Sequence, residues 1–238
     1  MKALLLNSGL GSRMGDATKE HPKCMTELDQ AETILSRQLR LLSQVGIRQA
    51  VITTGYYNKI LEDYCLSLGY ALQYEFVHNE RYQDTNYIYS IYCAREFLQD
   101  DILLMHGDLV FSAEVLQMAM NSKRSCMVVS TTQEIPQKDF KAVIEGDRIQ
   151  KIGINFFQNA VAAQPLYHFN RQDWEIWLRA IISFCERNDV RCYAENAFNT
   201  VSDRCRLIPL DVQEKLCCEI DTLEDLSVVK GKLQNAVN

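Results

Sequence analysis

The chain has 238 residues, enough to bury one large core or two modest ones, and a single α/β domain of this size is common. Hydrophobic residues make up 47% and charged residues 24%, the balance of a soluble globular protein, and no apolar run nears the roughly 20 residues that a membrane span needs. The net charge of −6 argues against a protein that coats nucleic acid or an anionic membrane, whereas a small phosphorylated ligand needs only a local basic cluster such as Arg13, Lys19 and Lys23.

Nine cysteines, an odd number with no C-x-x-C pair, are expected to stay free. Several (Cys65, Cys93, Cys126, Cys185) sit inside apolar patterns, where a thiol acts as a small hydrophobe. The histidines at 21, 78, 106 and 168 are scattered, which speaks against a structural zinc site. The apolar opening stretch is too short for a signal peptide's core, so a cytoplasmic location is expected.

In chain order, residues 2–7 read as a buried strand ended by glycines, and a polar loop covers about 8–30. Ile34, Leu35, Leu39, Leu42 and Val45 recur at helical spacing up to Gly46. A strand at 50–54 ends at Gly55, followed by a helix around 58–68 and a strand around 72–77. Thr85 is the expected cap of a helix running to about Leu98, and 102–108 is a further buried strand ending at Gly107 and Asp108. This alternation predicts a mostly parallel sheet flanked by helices, with ligands at the carboxyl ends of its strands. Asn7, Ser8 and Gly9, then Gly55 and Tyr56, then Gly107 and Asp108 all fall at such ends.

The second half reads differently. Strands are expected at 128–132, at 140–145 and at 148–154 around a Gly146-Asp147 turn. Trp174, Trp177, Leu178, Ile181, Ile182 and Cys185 line one face of a helix; short strands at 207–210 and 217–220 precede a last helix near Thr222. No linker, repeat or low-complexity tract is visible. The expectation is one domain over 1–238, with a nucleotide-binding half (about 1–125) and a smaller, β-rich acceptor-binding half (about 126–218).

Five groups of residues carry chemistry. Gly9-Leu10-Gly11-Ser12-Arg13-Met14, with Lys23 nearby, suits a loop that closes main-chain N–H groups and cations around phosphate oxygens. An ordinary turn would explain the glycines alone; Arg13 and Lys23 tip the balance. The run is neither a P-loop nor G-x-G-x-x-G. Asp108 is placed to hold a divalent cation against phosphates. Asp221, three residues before Glu224, reads as an Asp version of a capping box that opens the last helix, a role that leaves its carboxylate open to a second use. Asn86 and Ser90, four apart near a helix start, share one face on which they can read a pyrimidine edge or simply cap and pack. Tyr193 and Glu195 pair an aromatic face with a carboxylate, a cation receptor or else a polar helix start. Gln164 and Lys141 are further candidates for an acceptor pocket, although strand packing accounts for them equally well.

Leu6-Asn7-Ser8-Gly9-Leu10-Gly11-Ser12-Arg13-Met14 with Pro22-Lys23 resembles the signature loop of nucleotidyltransferases that make sugar nucleotides and CDP-alcohols. Two alanines usually stand where this chain has Asn7 and Ser8. The resemblance implies a glycosyltransferase-A-like fold, Mg²⁺ held by Asp108 and Asp221, and Arg13 and Lys23 stabilising the departing pyrophosphate. Thr85 to Ser90 and Gly55-Tyr56 are similar to stretches of bacterial CTP:phosphocholine cytidylyltransferases. This likeness implies transfer of CMP from CTP to a phosphate- or phosphonate-bearing acceptor with a cationic amine (phosphocholine, 2-aminoethylphosphonate or phosphoglutamine). A sugar-1-phosphate enzyme using UTP or dTTP is the alternative, a non-catalytic nucleotide sensor a remoter one, and a homodimer is compatible with either.

Overall fold

The computed structural model describes residues 1–9, 11, 14, 15, 18–29 and 32–235. Strand β1 (Lys2–Asn7) places Ala3 and Leu5 on one face and Leu4 and Leu6 on the other, all buried, as a central parallel strand requires. It pairs in parallel with β2 (Gln49–Thr54) and with β4 (Ile102–His106), and β2 pairs in parallel with β3 (Gln73–His78). The Ala3–Leu5 face is covered by α1 (Ile34–Gln44), α2 (Asn58–Ser67) and α4 (Ala113–Met120). The Leu4–Leu6 face is covered by α3 (Tyr87–Ala94) and α5 (Arg171–Glu186).

Beyond β4 the sheet turns antiparallel. Strand β9 (Ala160–Phe169) lies between β4 and β6 (Cys126–Ser130), antiparallel to both, and β10 (Ile208–Asp211) closes that edge parallel to β6. The path is β10-β6-β9-β4-β1-β2-β3. Strands β7 (Lys141–Glu145) and β8 (Arg148–Gly153) form a hairpin whose β7 pairs with the start of β9. A separate two-stranded ribbon joins β5 (Leu109–Phe111) to β11 (Cys217–Glu219). The mixed α/β architecture around a mostly parallel centre is the expected one.

Two elements depart from expectation. Strand β9 carries Pro165, and a proline interrupts a ladder. Its pairing with β6 jumps from Met127↔Tyr167 to Val129↔Ala163, so Pro165 sits in a bulge where no partner needs its missing N–H. The cap of α3 is Asn86, whose Oδ1 accepts from the Tyr87 amide, while the Thr85 hydroxyl turns away to donate to the Arg81 carbonyl.

Helix α5 shows how apolar spacing fixes the second half. Trp174, Trp177 and Ile181 are fully buried, and the two indole N–H groups donate to the carbonyls of Leu98 and Ala194, both at 2.9 Å. The second of these bonds reaches α6 (Ala194–Phe198), which supplies Glu195 to the region described next.

Candidate active site

At the carboxyl ends of β1 and β4 lies a cavity of about 440 Å³. Register brings its parts together: Leu6 lies beside His106, and Asn7 beside Thr54. Space is tight there. A Cβ on Gly107 would sit 1.7 Å from Asn7 Oδ1, and one on Gly55 would sit 2.3 Å from the Ser8 carbonyl oxygen. Both glycines are therefore fixed by close approach of neighbouring strand ends.

One end of the cavity is ionic. Lys23 follows Pro22 on a short 3-10 turn (Lys23–Met25), and its Nζ donates to Asp108 Oδ2 at 2.7 Å and Asp221 Oδ1 at 2.5 Å. Burial works against the ammonium, but the two aspartates outweigh it and hold its pKa above the ordinary value. Burial also opposes charge on Asp108, yet Lys23 and His106 keep its carboxyl below the usual range.

Asp221 reaches this point because the segment that follows β11 is tied to Asp108. The Ile220 amide donates to the Asp108 carbonyl at 3.0 Å, next to the β5–β11 ribbon. The cap of α7 (Leu223–Asn235) is built without Asp221's carboxylate. Asp225 Oδ2 accepts from the amides of Asp221 and Thr222, and Thr222 Oγ1 accepts from the Asp225 amide. The capping box is thus Thr222 with Asp225, not Asp221 with Glu224.

The other end is aromatic. Tyr87, His106, Phe140 and Tyr193 all line it, with Tyr87 edge-on to His106 at 4.7 Å and Phe140 edge-on to Tyr193 at 5.2 Å. Behind this box stand two carboxylates. Glu195, 1% exposed, accepts hydrogen bonds from the hydroxyls of Tyr87 and Tyr167. Glu219 accepts from His106 Nδ1 at 3.0 Å, and burial first, then Asp108, pushes its pKa up to about 7 against the pull of His106.

Four buried polar atoms at the cavity have no hydrogen-bond partner among the described residues: both amide atoms of Asn7, His106 Nε2 and Asp108 Oδ1. Native interiors rarely leave such atoms unpaired, which marks the place as built to meet a ligand. The carboxylates of Asp108 and Asp221 are hard oxygen donors and already hold one cation, the Lys23 ammonium, between them. They fit a divalent ion, and ligating atoms of His106, Asp108 and Glu219 also lie within 4.8 Å of one another.

Of the residues singled out in the sequence, Asn7, Ser8, Gly9 and Gly11 line the cavity on one side. Lys23, Asn86, Gly107, Asp108, Asp221 and Tyr193 complete the set that the fold brings together. Leu10, Ser12 and Arg13 lie outside the described residues. Six others do not line it. Gly55 acts through its contact with Ser8, and Tyr56 is 63% exposed. Ser90 is buried and bonded to Ser8 Oγ at 2.6 Å and to Asn79 Nδ2 at 3.0 Å, so its hydroxyl braces the loop after β1 instead of facing the cavity. Glu195 backs the aromatic box from beneath. Gln164 turns to Gln133, and the Lys141 ammonium is wholly buried among main-chain carbonyls. His106 and Phe140 line the cavity without being among the residues singled out in the sequence. His106 is legible there, because residues i and i+2 of a strand share a face and Asp108 lies two positions on.

A family model of the MobA-like NTP transferase domain matches residues 3–184. The chain belongs to this family. It is similar to the CTP:phosphoglutamine cytidylyltransferase of Campylobacter jejuni, 29% identical over 135 residues that cover 54% of this chain and 52% of that protein. The chain thus spans about half the length of this relative. It is also similar to the choline-phosphate cytidylyltransferase of Streptococcus pneumoniae, 24% identical over 250 residues and 99% of each chain. The solved structure of the CTP:phosphocholine cytidylyltransferase from Streptococcus pneumoniae covers 98% of both chains, with a TM-score of 0.76 at 21% identity. That likeness shows the fold, the glycosyltransferase-A-like arrangement of nucleotidyltransferases. Enzymes of this family generally work with a divalent metal. Among the described residues no helix is long and apolar enough to cross a membrane.

Proposed function

We propose that this chain moves CMP from CTP onto a small acceptor that carries a phosphate or phosphonate at one end and a cationic amine at the other. The observation that carries the reading is the polarity of the cavity: Lys23, Asp108 and Asp221 at one end, and an aromatic box backed by two carboxylates at the other. Aromatic faces and buried acids together favour an amine or quaternary ammonium over a neutral sugar. The relatives named for phosphoglutamine and choline phosphate point the same way.

In this reading CTP lies over Asn7, Ser8, Gly9 and Gly11 with its base toward Asn86, and Ser90 holds Ser8 in place beneath it. Asp108 and Asp221 hold Mg²⁺, which when bound neutralises phosphate charge. Lys23, whose ammonium bonds both aspartates, stabilises the negative charge that grows on pyrophosphate as it leaves, and Arg13 assists it. The acceptor's anionic oxygen attacks the α-phosphorus, so no general base is required. Nine unpaired cysteines suit a reducing compartment and support a cytoplasmic setting.

The test is pyrophosphate release with Mg²⁺ and each of CTP, UTP and dTTP, against phosphocholine, 2-aminoethylphosphonate, phosphoglutamine and sugar 1-phosphates. Release is expected with CTP and an amine-bearing acceptor, and Asp108→Ala is expected to lower kcat by about 10²–10³-fold. Release confined to sugar phosphates with UTP or dTTP would overturn the cytidylyl assignment. Nucleotide binding without release from any pair would favour a sensor.

A further inference from the structure

The wall of the cavity on the acceptor side is made of two loops, one before β7 and one after β8. Lys138, Asp139 and Phe140 come from the first, and Ile154 from the second. Neither loop has a regular ladder to hold it, yet Phe140 must stand edge-on to Tyr193 for the aromatic box to exist.

Lys141 lies between them. It opens β7, with Gly153 beside it on β8 and Ala162 on β9, and it is 0% exposed. Its Nζ donates to the carbonyls of Ile154 at 2.6 Å, Asp139 at 3.1 Å and Gln137 at 3.3 Å, which uses all three ammonium protons. The ring of Phe157, half-exposed on the second loop, lies 4.3 Å from the same nitrogen. Burying an ammonium is costly, and an apolar side chain would fill the space at less expense. What the ammonium adds is a three-way tie between otherwise separate loops.

We propose that Lys141 is the positioning residue of the acceptor wall: it touches no substrate, and it sets where Phe140 and Ile154 stand. The proposal rests on the assignment of this wall to the acceptor. Removing the ammonium leaves three main-chain carbonyls without this donor, so both loops loosen while the strands persist. The strands have their own ladders, β7 with β8 and with β9, and the Phe140 carbonyl keeps one bond from the Ala163 amide, so the loosening bears on 137–139, on 154–157 and on the Phe140 ring.

Two variants and two measurements test it. Lys141→Met keeps an unbranched apolar stem, one atom shorter, and removes the donor; Phe157→Ala removes only the ring contact. With CTP and whichever amine-bearing acceptor the wild type turns over, Lys141→Met is expected to raise the acceptor KM about tenfold or more, with the CTP KM within about twofold of wild type. Phe157→Ala is expected to shift the acceptor KM in the same direction by a smaller factor. Equal changes in both KM values, or a loss in kcat alone, would overturn the proposal; if Lys141→Met fails to fold, Phe157→Ala decides by the same criterion. Amide hydrogen exchange without any substrate separates this inference from the functional reading. Faster exchange in Lys141→Met confined to 137–139 and 154–157 supports the tie even if no acceptor is found, and unchanged exchange there refutes it.

Discussion

At Gly107 two residues on neighbouring strands determine each other. The Asn7 amide fills the space that a Cβ at 107 would need, and both of its polar atoms are buried without a partner among the described residues. Gly107→Ala is expected to cost about 1–3 kcal/mol through overpacking. Asn7→Ala removes an unpaired buried amide and is expected to be near neutral for stability, or slightly favourable. The double variant should lose less than the sum of the two, with a coupling of about 0.5–3 kcal/mol, because the steric conflict is with Asn7 itself. Some cost stays, since the Leu6 carbonyl oxygen would still lie 2.8 Å from the new Cβ. Chemical denaturation of the four proteins measures the cycle, and strict additivity would contradict the account. The resemblance to the signature loop marks Asn7 and Ser8 as departures from two alanines, but not what receives them. Gly107 and Ser90 lie 100 and 82 positions away, and only the β1–β4 register and the placement of α3 bring them into contact. Lys23, Asp108 and Asp221 were legible one by one from local chemistry; their meeting at a single ammonium was not.

Among elements, those with clean periodicity were legible and those governed by distant partners were not. Helices α1 and α5 and strands β1, β2 and β4 announce themselves by buried faces at regular spacing. Strand β9 does not, because Gln164-Pro165 breaks its pattern and only the bulge opposite β6 makes room for it. The same strand carries His168, buried beside Leu103 and Cys126, with Nδ1 unpartnered among the described residues. Burial lowers its pKa, and Asp101 opposes the shift without reversing it. The unfolded chain therefore takes up a proton at this residue more readily than the folded one. Its contribution to stability is complete above the unfolded pKa of about 6.5 and is lost as pH falls below that value. His168→Phe should flatten this part of the profile. Urea midpoints at pH 7 and pH 5 should fall less in the variant than in the wild type. Other groups that titrate in this window, Glu219 at about 7 among them, cancel in the difference. A parallel fall in both proteins would show that His168 does not titrate as its burial implies.

Across the whole molecule the cavity draws on residues from Asn7 to Asp221, so ligand binding and global stability are linked. Lys23 gives that linkage a particular form. Its ammonium already lies on both aspartates, so a divalent ion added alone must compete with a cation the chain supplies itself. If CTP binds as proposed, added alone it would meet two carboxylates that repel its phosphates. Added with the metal, the nucleotide would offer Lys23 another anion and leave the aspartates to the ion, so each ligand would remove the obstacle to the other. Thermal unfolding should therefore show synergy, with the rise in Tm for Mg²⁺ plus CTP exceeding the sum of the separate rises. At a ligand concentration 100-fold above Kd the stabilisation is about 2.7 kcal/mol, a shift of roughly 5–10 °C for a chain of this size. Asp108→Asn halves the ionic contact of Lys23 and weakens the metal's place, so the synergy should vanish in that variant while CTP alone binds slightly better than in the wild type. EDTA should return the wild type to the CTP-only value. Simple additivity in the wild type would mean that Lys23 and the metal do not contend for the same carboxylates, and that the ammonium keeps its two aspartates through the catalytic cycle.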